Sequence, residues 1–314
     1  MLVRYLKRTL HGTGKVVAAD CSEFAPALYE ADCRRIIPAI TDEAYLDSVL
    51  ALCREEQINA VISLIDPEVC FLAAHAETFR EIGVSAVVND AALCELAMDK
   101  AAMYRWLIAH GYPCLKFWTE IKSFQQAVRD GEVRFPVVSK PVRGSGSDSV
   151  KKLFSLKEAE CLMMQEPESI IQEWIGGQEI GVDLYADLIT GEVVSVFAKR
   201  KLKMRAGETD QAVSFRDPRL FAFLERFVTE AGFCGVIDID LVEHGGCFYV
   251  LDVNLRFGGG YPLAHECGCD FMGLILNNLD GIANKKQIVD YGNGVSMMKY
   301  SDIIIRRESE RLGS

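Results

Sequence analysis

The segment Val236–Asn254 limits the possible folds more than any other part of the chain. Its halves, Val236–Glu243 and Cys247–Asn254, flank His244-Gly245-Gly246. In a strand, side chains at i and i+2 share a face. Asp238 and Asp240 therefore point one way, and Ile237, Ile239 and Leu241 the other; Asp252 and Asn254 likewise share a face. A short Gly-Gly connection makes the two strands adjacent and antiparallel. Carboxylates gathered on one sheet face repel unless a cation sits among them. The alternative, a solvated polar face, is weakened because the acids lie in the most apolar stretch of the C-terminal half. Oxygen-only ligands favour Mg²⁺ or Mn²⁺ over zinc. Arg256, two residues past Asn254, is placed to clamp a transferring phosphoryl group. Opposite residues of an antiparallel pair share a face, and Asp238, Asp240 and Asp252 are all even-numbered. The connection must then hold an odd number of residues, so a three-residue connection containing Gly245 and Gly246 is predicted.

Upstream, short apolar runs alternate with helical patterns. Lys15–Ala19, Arg34–Pro38, Ala60–Ile65 and Val84–Val88 read as strands, and Asp42–Gln57 and Glu68–Ile82 as helices. That alternation implies a parallel, doubly wound sheet. After a helix at Asp99–Gly111 the pattern turns β-rich and antiparallel through Pro136–Lys140, Ile170–Glu173, Gln178–Asp187 and Glu192–Lys201. A helix at Pro218–Ala231, ended by Gly232, precedes the acidic strands, and Phe271–Ala283 is helical. The expected class is α/β over residues 1–98 followed by α+β over 99–314. A doubly wound lobe normally opens with a buried strand. Here Leu2–Leu10 reads as a helix ended by His11-Gly12, so a first strand upstream of the recorded start is expected to be missing.

The net charge of −11 over 314 residues argues against a phosphate-backbone partner such as DNA or RNA. No apolar run approaches the roughly 18 residues of a membrane span, and Met1-Leu-Val-Arg-Tyr-Leu-Lys-Arg lacks the apolar core of a signal peptide. Eleven cysteines without a Cys-x-x-Cys pair read as reduced, mostly buried thiols of a cytoplasmic protein.

Three further segments carry chemistry. In Lys140-Pro-Val-Arg-Gly144-Ser145-Gly146-Ser147 a strand delivers a lysine into a Gly/Ser loop. Such a loop lets backbone N–H groups form an anion nest beside the ammonium; a plain surface hairpin fits as well. In Gln172-Glu173-Trp174-Ile175-Gly-Gly-Gln178-Glu179 an adenine could bond main-chain groups near Glu173 and Ile175 while Glu179 accepts from ribose hydroxyls. An ordinary hairpin with solvated acids is the other reading. Lys199–Arg205 holds five basic residues in seven, and charge runs of this kind are usually solvated strand ends. His265 reads as structural.

Together these segments resemble the ATP-grasp superfamily, in particular the ATP-binding halves of the carbamoyl-phosphate synthase large subunit and related stand-alone carboxylate–amine ligases. Asp252-Val-Asn254-Leu-Arg256-Phe-Gly-Gly-Gly-Tyr-Pro is similar to that group's Asn-Pro-Arg-Phe-Gly-Gly-Gly-Tyr-Pro stretch, with Leu255 in place of proline. The resemblance implies a small lid lobe over about 115–175 and a large lobe with the metal site over about 176–314. It implies Lys100 and Lys140 on ATP phosphates and Gly144–Ser147 as lid loop. Glu173, Trp174 and Ile175 would lie at adenine, Glu179 at ribose, and Asp240, Asp252 and Asn254 at Mg²⁺. Arg256 would meet the reacting phosphate, and Lys199 and Arg205 would meet phosphate or a substrate carboxylate. Asp240 stands where relatives often carry Gln or Glu, and Asp252 where they often carry Glu. The implied reaction phosphorylates a carboxylate and passes the acyl group to an amine; a homo-oligomer is open. A carbamoyl-phosphate-synthase-like phosphotransfer subunit and a nucleotide-binding module without turnover are the alternatives.

Overall fold

The computed structural model describes residues 1–144 and 150–305. The chain opens with α1 (Leu2–Leu10), β1 (Val17–Asp20), β2 (Cys33–Ile36), α2 (Tyr45–Glu55), β3 (Ala60–Val61), α3 (Asp66–Ala74), α4 (Ala76–Glu81), β4 (Ser85–Ala86) and α5 (Ala91–Met98). The strands pair in parallel, β1 with β2 and β3 with β4, so the α/β reading holds. The ladder is split into two short pairs, and the apolar run at 60–65 contributes only two residues to it. The single helix expected over Glu68–Ile82 is two. It breaks at His75, where ψ is +13° and the ring Nδ1 lies 2.9 Å from the Phe71 carbonyl oxygen. Tyr45, Val49, Leu50, Leu72 and Phe79 close a small core between these elements.

Next come α6 (Lys100–Ala109), β5 (Phe117–Trp118), α7 (Ile121–Arg129), β6 (Val137–Pro141), β7 (Lys151–Leu153), α8 (Leu156–Gln165) and β8 (Ser169–Glu173). The four strands form one antiparallel sheet in the order β5-β8-β6-β7. Phe124, Ala159 and Leu162 of α7 and α8 cover one face of it. The third group is β9 (Glu179–Ala186), β10 (Val193–Arg205), β11 (Glu208–Phe215), α9 (Pro218–Ala231), β12 (Gly235–His244), β13 (Cys247–Asn254), α10 (Tyr261–Glu266), α11 (Phe271–Leu279) and β14 (Ser296–Met298). Its strands build an antiparallel sheet ordered β13-β12-β9-β10-β11-β14.

The period-two pattern of these long strands decides everything around them. One face, carrying Val182, Leu184, Ala198, Ile237, Ile239 and Leu241, packs on α6 and α9 in the largest core. The opposite face is divided. At one end Tyr185, Phe197 and Val236 lie under α1, α10 and α11; at the other end are the acids. Tyr5 of α1 is buried against Tyr261 there, and His265 stacks on Tyr5 with ring centroids 3.8 Å apart.

The hairpin joining β12 and β13 corrects the expected three-residue connection. His244 pairs with Cys247 across two residues only, Gly245 and Gly246, at φ +58° and +79°. Positive φ at both centres is the type I′ turn that matches strand twist. Parity is restored elsewhere. Leu241 pairs with Val250 but Asp240 pairs with Asp252, so Leu251 is an extra residue in a β-bulge. Beyond the bulge Asp238 stands opposite Asn254, and the acids share a face as anticipated, by a different device.

A Cβ at Gly246 would meet nothing within 4 Å, so its cost is backbone strain alone. Gly246→Ala is expected to lower unfolding stability by about 1–2 kcal/mol, read as a reduced urea midpoint at unchanged m. An unchanged midpoint would contradict the turn geometry.

Candidate active site

Two rows of side chains cross the divided sheet face. The first runs Asn254, Asp238, Asp183 over β13, β12 and β9; the second runs Asp252, Asp240, Gly181, Lys199 over β13, β12, β9 and β10. Gly181 has a positional reason. A Cβ there would stand 3.0 Å from Lys201 Cε and 3.1 Å from Lys199 Cε, so its absence lets both lysines reach across the sheet. Lys199, 1% exposed, pairs with Asp183. Lys201 Nζ lies 2.5 Å from Asp240 Oδ1.

The other cations arrive from outside this sheet. Lys100 is the first residue of α6, whose N-terminus Asp99 caps by accepting from the Ala102 N–H at 2.8 Å. A cation in the first turn opposes the helix dipole. Its ammonium is held by the Gly144 carbonyl at 2.5 Å and by Asp252 at 3.5 Å. Lys140, on β6, donates to Tyr104 Oη at 2.5 Å and to the Leu251 carbonyl at 3.1 Å; the Tyr104 hydroxyl donates to the same carbonyl at 2.7 Å. The bulge thus serves twice, setting the acids' register and presenting a carbonyl to the buried lysine.

Arg256 spans two lobes. Its Nη2 donates to Asp66 Oδ2 at 2.9 Å, and its Nη1 lies 3.1 Å from the Phe257 carbonyl oxygen and 3.5 Å from Asp238 Oδ2. Asp66 opens α3, 190 residues earlier in the chain.

Electrostatics follow from this crowding. Burial, then repulsion from Asp240, pushes Asp238 up to about 7. Burial also raises Asp252, although Lys100 and Lys140 oppose it, and raises Asp183 against the pull of Lys199. Burial lowers Lys140 to about 8 despite Asp252 and Asp240. Burial works to lower Lys201 too, but Asp240 and Asp238 outweigh it and the net direction is up. Five carboxylates (Asp66, Asp183, Asp238, Asp240, Asp252) face five cations (Lys100, Lys140, Lys199, Lys201, Arg256).

The donor set fits a hard divalent cation. Asp240 and Asp252 face one another, their oxygens are hard donors, and Asp252 with its neighbour Asp238 is held above the ordinary carboxylate range by burial. Positive charge relieves that cost. Asn254 gives its Nδ2 to Asp238 at 3.2 Å, which leaves Oδ1 as its metal-ligating atom. Among the described residues no three His, Cys, Asp or Glu side chains form a closed cage, so the amide would have to complete the set.

The remaining expected residues are dispersed. Glu173 ends β8, with its N–H donating to the Lys116 carbonyl at 2.9 Å and its carboxylate accepting from the Lys116 N–H at 2.7 Å. Trp174 is 44% exposed, with Lys152 Nζ 4.2 Å above its ring. Ile175 is half-buried, and Glu179 is exposed at the start of β9, where its charge acts on both Lys201 and Lys140. Arg205 does not join the cluster. It is the last residue of β10 and pairs with Asp210 at 2.9 Å, a strand-end ion pair. Ser145, Gly146 and Ser147 lie outside the described residues.

Sequence reasoning missed Asp66, Tyr104, Asp183 and Lys201. Only Lys201 had a usable signal, as an alternate member with Lys199 of the basic run. Gly258–Gly260 lie against the site: a Cβ on Gly258 would come 2.2 Å from Asp238 Oδ1, and one on Gly260 2.2 Å from Lys199 Cε.

With this geometry in view, comparison with known proteins is decisive. Residues 97–260 match the ATP-grasp domain family model. The chain belongs to the ATP-grasp family. Residues 1–87 match the PylC-like, N-terminal domain. A D-alanine–D-alanine ligase of Francisella philomiragia is 30% identical over 140 residues, 40% of this chain and 46% of that ligase. The chain therefore spans about half the length of the curated relatives it matches. The biotin carboxylase domain of Hydrogenobacter thermophilus 2-oxoglutarate carboxylase, solved with MgADP and bicarbonate, aligns with TM-score 0.72 at 15% identity over 93% of this chain and 70% of that one. An L-amino acid ligase from Bacillus licheniformis aligns with TM-score 0.69 at 20% identity over 90% and 72%. These likenesses establish the fold of this ATP-grasp chain. Among the described residues no helix is long and apolar enough to cross a membrane, and all eleven cysteines are free.

Gly258→Ala tests the close approach at Asp238. Overpacking is expected to cost about 1–3 kcal/mol, read as a lower thermal midpoint, and to weaken nucleotide binding in calorimetry. A variant with wild-type midpoint and affinity would contradict the contact.

Proposed function

We propose that this ATP-grasp chain is an ATP- and Mg²⁺-dependent ligase that activates a carboxylate as an acyl phosphate and transfers the acyl group to an amine. The observation that carries the reading is the opposition of Asp240 to Asp252 and of Asp238 to Asn254, ringed by Lys100, Lys140, Lys199, Lys201 and Arg256. In the proposed reaction a carboxylate oxygen attacks the γ-phosphorus, the bond to the β,γ-bridging oxygen breaks and ADP departs. The amine nitrogen then attacks the acyl carbon and loses a proton as inorganic phosphate leaves. Lys140 and Lys100 would fix the phosphates and Arg256 would meet the charge of the transferred group. Asp240, Asp252 and Asn254 would hold Mg²⁺, which supplies charge neutralisation at the triphosphate when bound. Positioning and electrostatics suffice for such a transfer, so no protein nucleophile is needed.

In the same reading Glu173, Trp174 and Ile175 would border adenine, Glu179 would meet ribose, and a small lobe would cover about 115–175; of the expected lid loop at 144–147 only Gly144 lies within the described residues. The large lobe would occupy about 176–314. Arg205 is left out, because Asp210 engages it. The ligases among the relatives support carbon–nitrogen bond formation, with small carboxylate and amine substrates. The free thiols suit a reducing, cytoplasmic setting, and a homo-oligomer is compatible.

Hydroxylamine added with ATP, Mg²⁺ and the correct acid is expected to yield a hydroxamate as ADP accumulates. Asp252→Asn and Arg256→Lys should each lower that rate on the order of 100-fold or more. Wild-type rates in both variants, or a phosphorylated protein side chain on the pathway, would overturn the assignment.

A further inference from the structure

Lys140 differs from the other four cations of the site. Lys100, Lys199, Lys201 and Arg256 each lie against a carboxylate, that of Asp252, Asp183, Asp240 and Asp66 respectively. Among the described residues no carboxylate lies within ion-pair distance of the Lys140 ammonium, and Asp252 and Asp240 act on it only from farther off. Its near neighbours are two neutral oxygens, Tyr104 Oη at 2.5 Å and the Leu251 carbonyl at 3.1 Å.

Chemistry fixes the donor roles in this triangle. An ammonium only donates and a carbonyl only accepts. The Tyr104 hydroxyl lies 2.7 Å from the same carbonyl, so it must give its proton to Leu251 and turn a lone pair to Lys140. Burial raises the Tyr104 hydroxyl well above the ordinary phenol range, so it keeps that proton. The residue is 1% exposed, and its ring meets Phe117 edge-on with centroids 5.2 Å apart.

The three groups come from three elements. Lys140 stands on β6 of the four-stranded sheet, Leu251 is the bulge residue of β13 in the six-stranded sheet, and Tyr104 belongs to α6. A lysine stem is flexible. Two anchors fix where its nitrogen stands relative to acids carried by a different sheet. They take two of the ammonium's three donors, which leaves one N–H for an incoming anion. No acid has to be displaced from Lys140 before that anion arrives.

We propose that Tyr104 is a positioning residue for nucleotide binding, whose hydroxyl holds the Lys140 ammonium, free of an acid partner, where a phosphate oxygen of ATP arrives. The proposal rests on the reading of Lys140 as a phosphate contact and adds the group that fixes it.

Calorimetry on the full chain with ATP and Mg²⁺, without acid or amine, tests it. Adenosine, which carries no phosphate, is the companion probe, read by competition. Tyr104→Phe keeps the ring and removes one oxygen. It should weaken ATP about 10-fold and leave adenosine within about 2-fold. Lys140→Met should weaken ATP at least as much. Adding Tyr104→Phe to Lys140→Met should cost less than about 2-fold more, because the hydroxyl acts through the ammonium; a residue that only fills space would add its own loss. Wild-type ATP affinity in Tyr104→Phe, equal losses of ATP and adenosine, or full additivity in the double variant would overturn the role of Tyr104 and leave the reading of Lys140 standing. Wild-type ATP affinity in Lys140→Met would instead overturn that reading, and this proposal with it.

Discussion

Buried like charge is the constraint on which this structure depends. Asp183, Asp238, Asp240 and Asp252 occupy one face of a sheet whose other face is solid hydrocarbon, and Asp66 adds a fifth carboxylate from a different lobe. Burial and the neighbouring Asp240 push Asp238 up to about 7, the direction that buried, crowded carboxylates take. The fold tolerates them because five cations converge from four places: β10, β6, the start of α6 and the residue two past β13. In the proposed ligase a triphosphate and its cation would replace such pairings: phosphate would compete with Asp252 for Lys100, and a divalent ion with the lysines for Asp252 and Asp240. A balanced, desolvated cluster of this kind is pre-organised for charge that arrives with the ligand.

The local devices serve that balance. Leu251 is extra to the ladder, and its freed carbonyl receives both Lys140 and Tyr104. Gly181, Gly258 and Gly260 supply the absence of side chains that lysine stems and the Asp238 carboxylate need. Asp66 ties the first lobe to Arg256, although α3 carries no part of the ATP-grasp match.

The sequence revealed the acid-bearing strands well, because alternation with period two is a property of neighbours in the chain. Asp240, Asp252 and Asn254 were legible on that ground, and Lys140 because a lysine at a strand end before a Gly/Ser loop is a local pattern. The bulge was not legible. A shared face for the acids was the premise from which an odd loop followed, but an even turn plus one bulge satisfies that premise equally. Type I′ geometry at Gly245-Gly246 decided for the second. Asp66, Tyr104 and Asp183 were missed because each gains its meaning from a contact across the fold, Asp66 over 190 residues. Arg205 was over-read from its neighbours: the basic run is straddled by a register shift between Lys201 and Lys203, and past it the strand leaves the site.

Transfer of phosphate to the substrate's carboxylate is the step that separates an acyl-phosphate ligase from the alternatives. An acid labelled with ¹⁸O in its carboxylate, turned over with unlabelled ATP and an amine, should release inorganic phosphate carrying one ¹⁸O atom, detected by mass spectrometry or by the ³¹P isotope shift. Phosphate free of label while the amide forms, the departing ¹⁸O appearing in AMP or water instead, would contradict it.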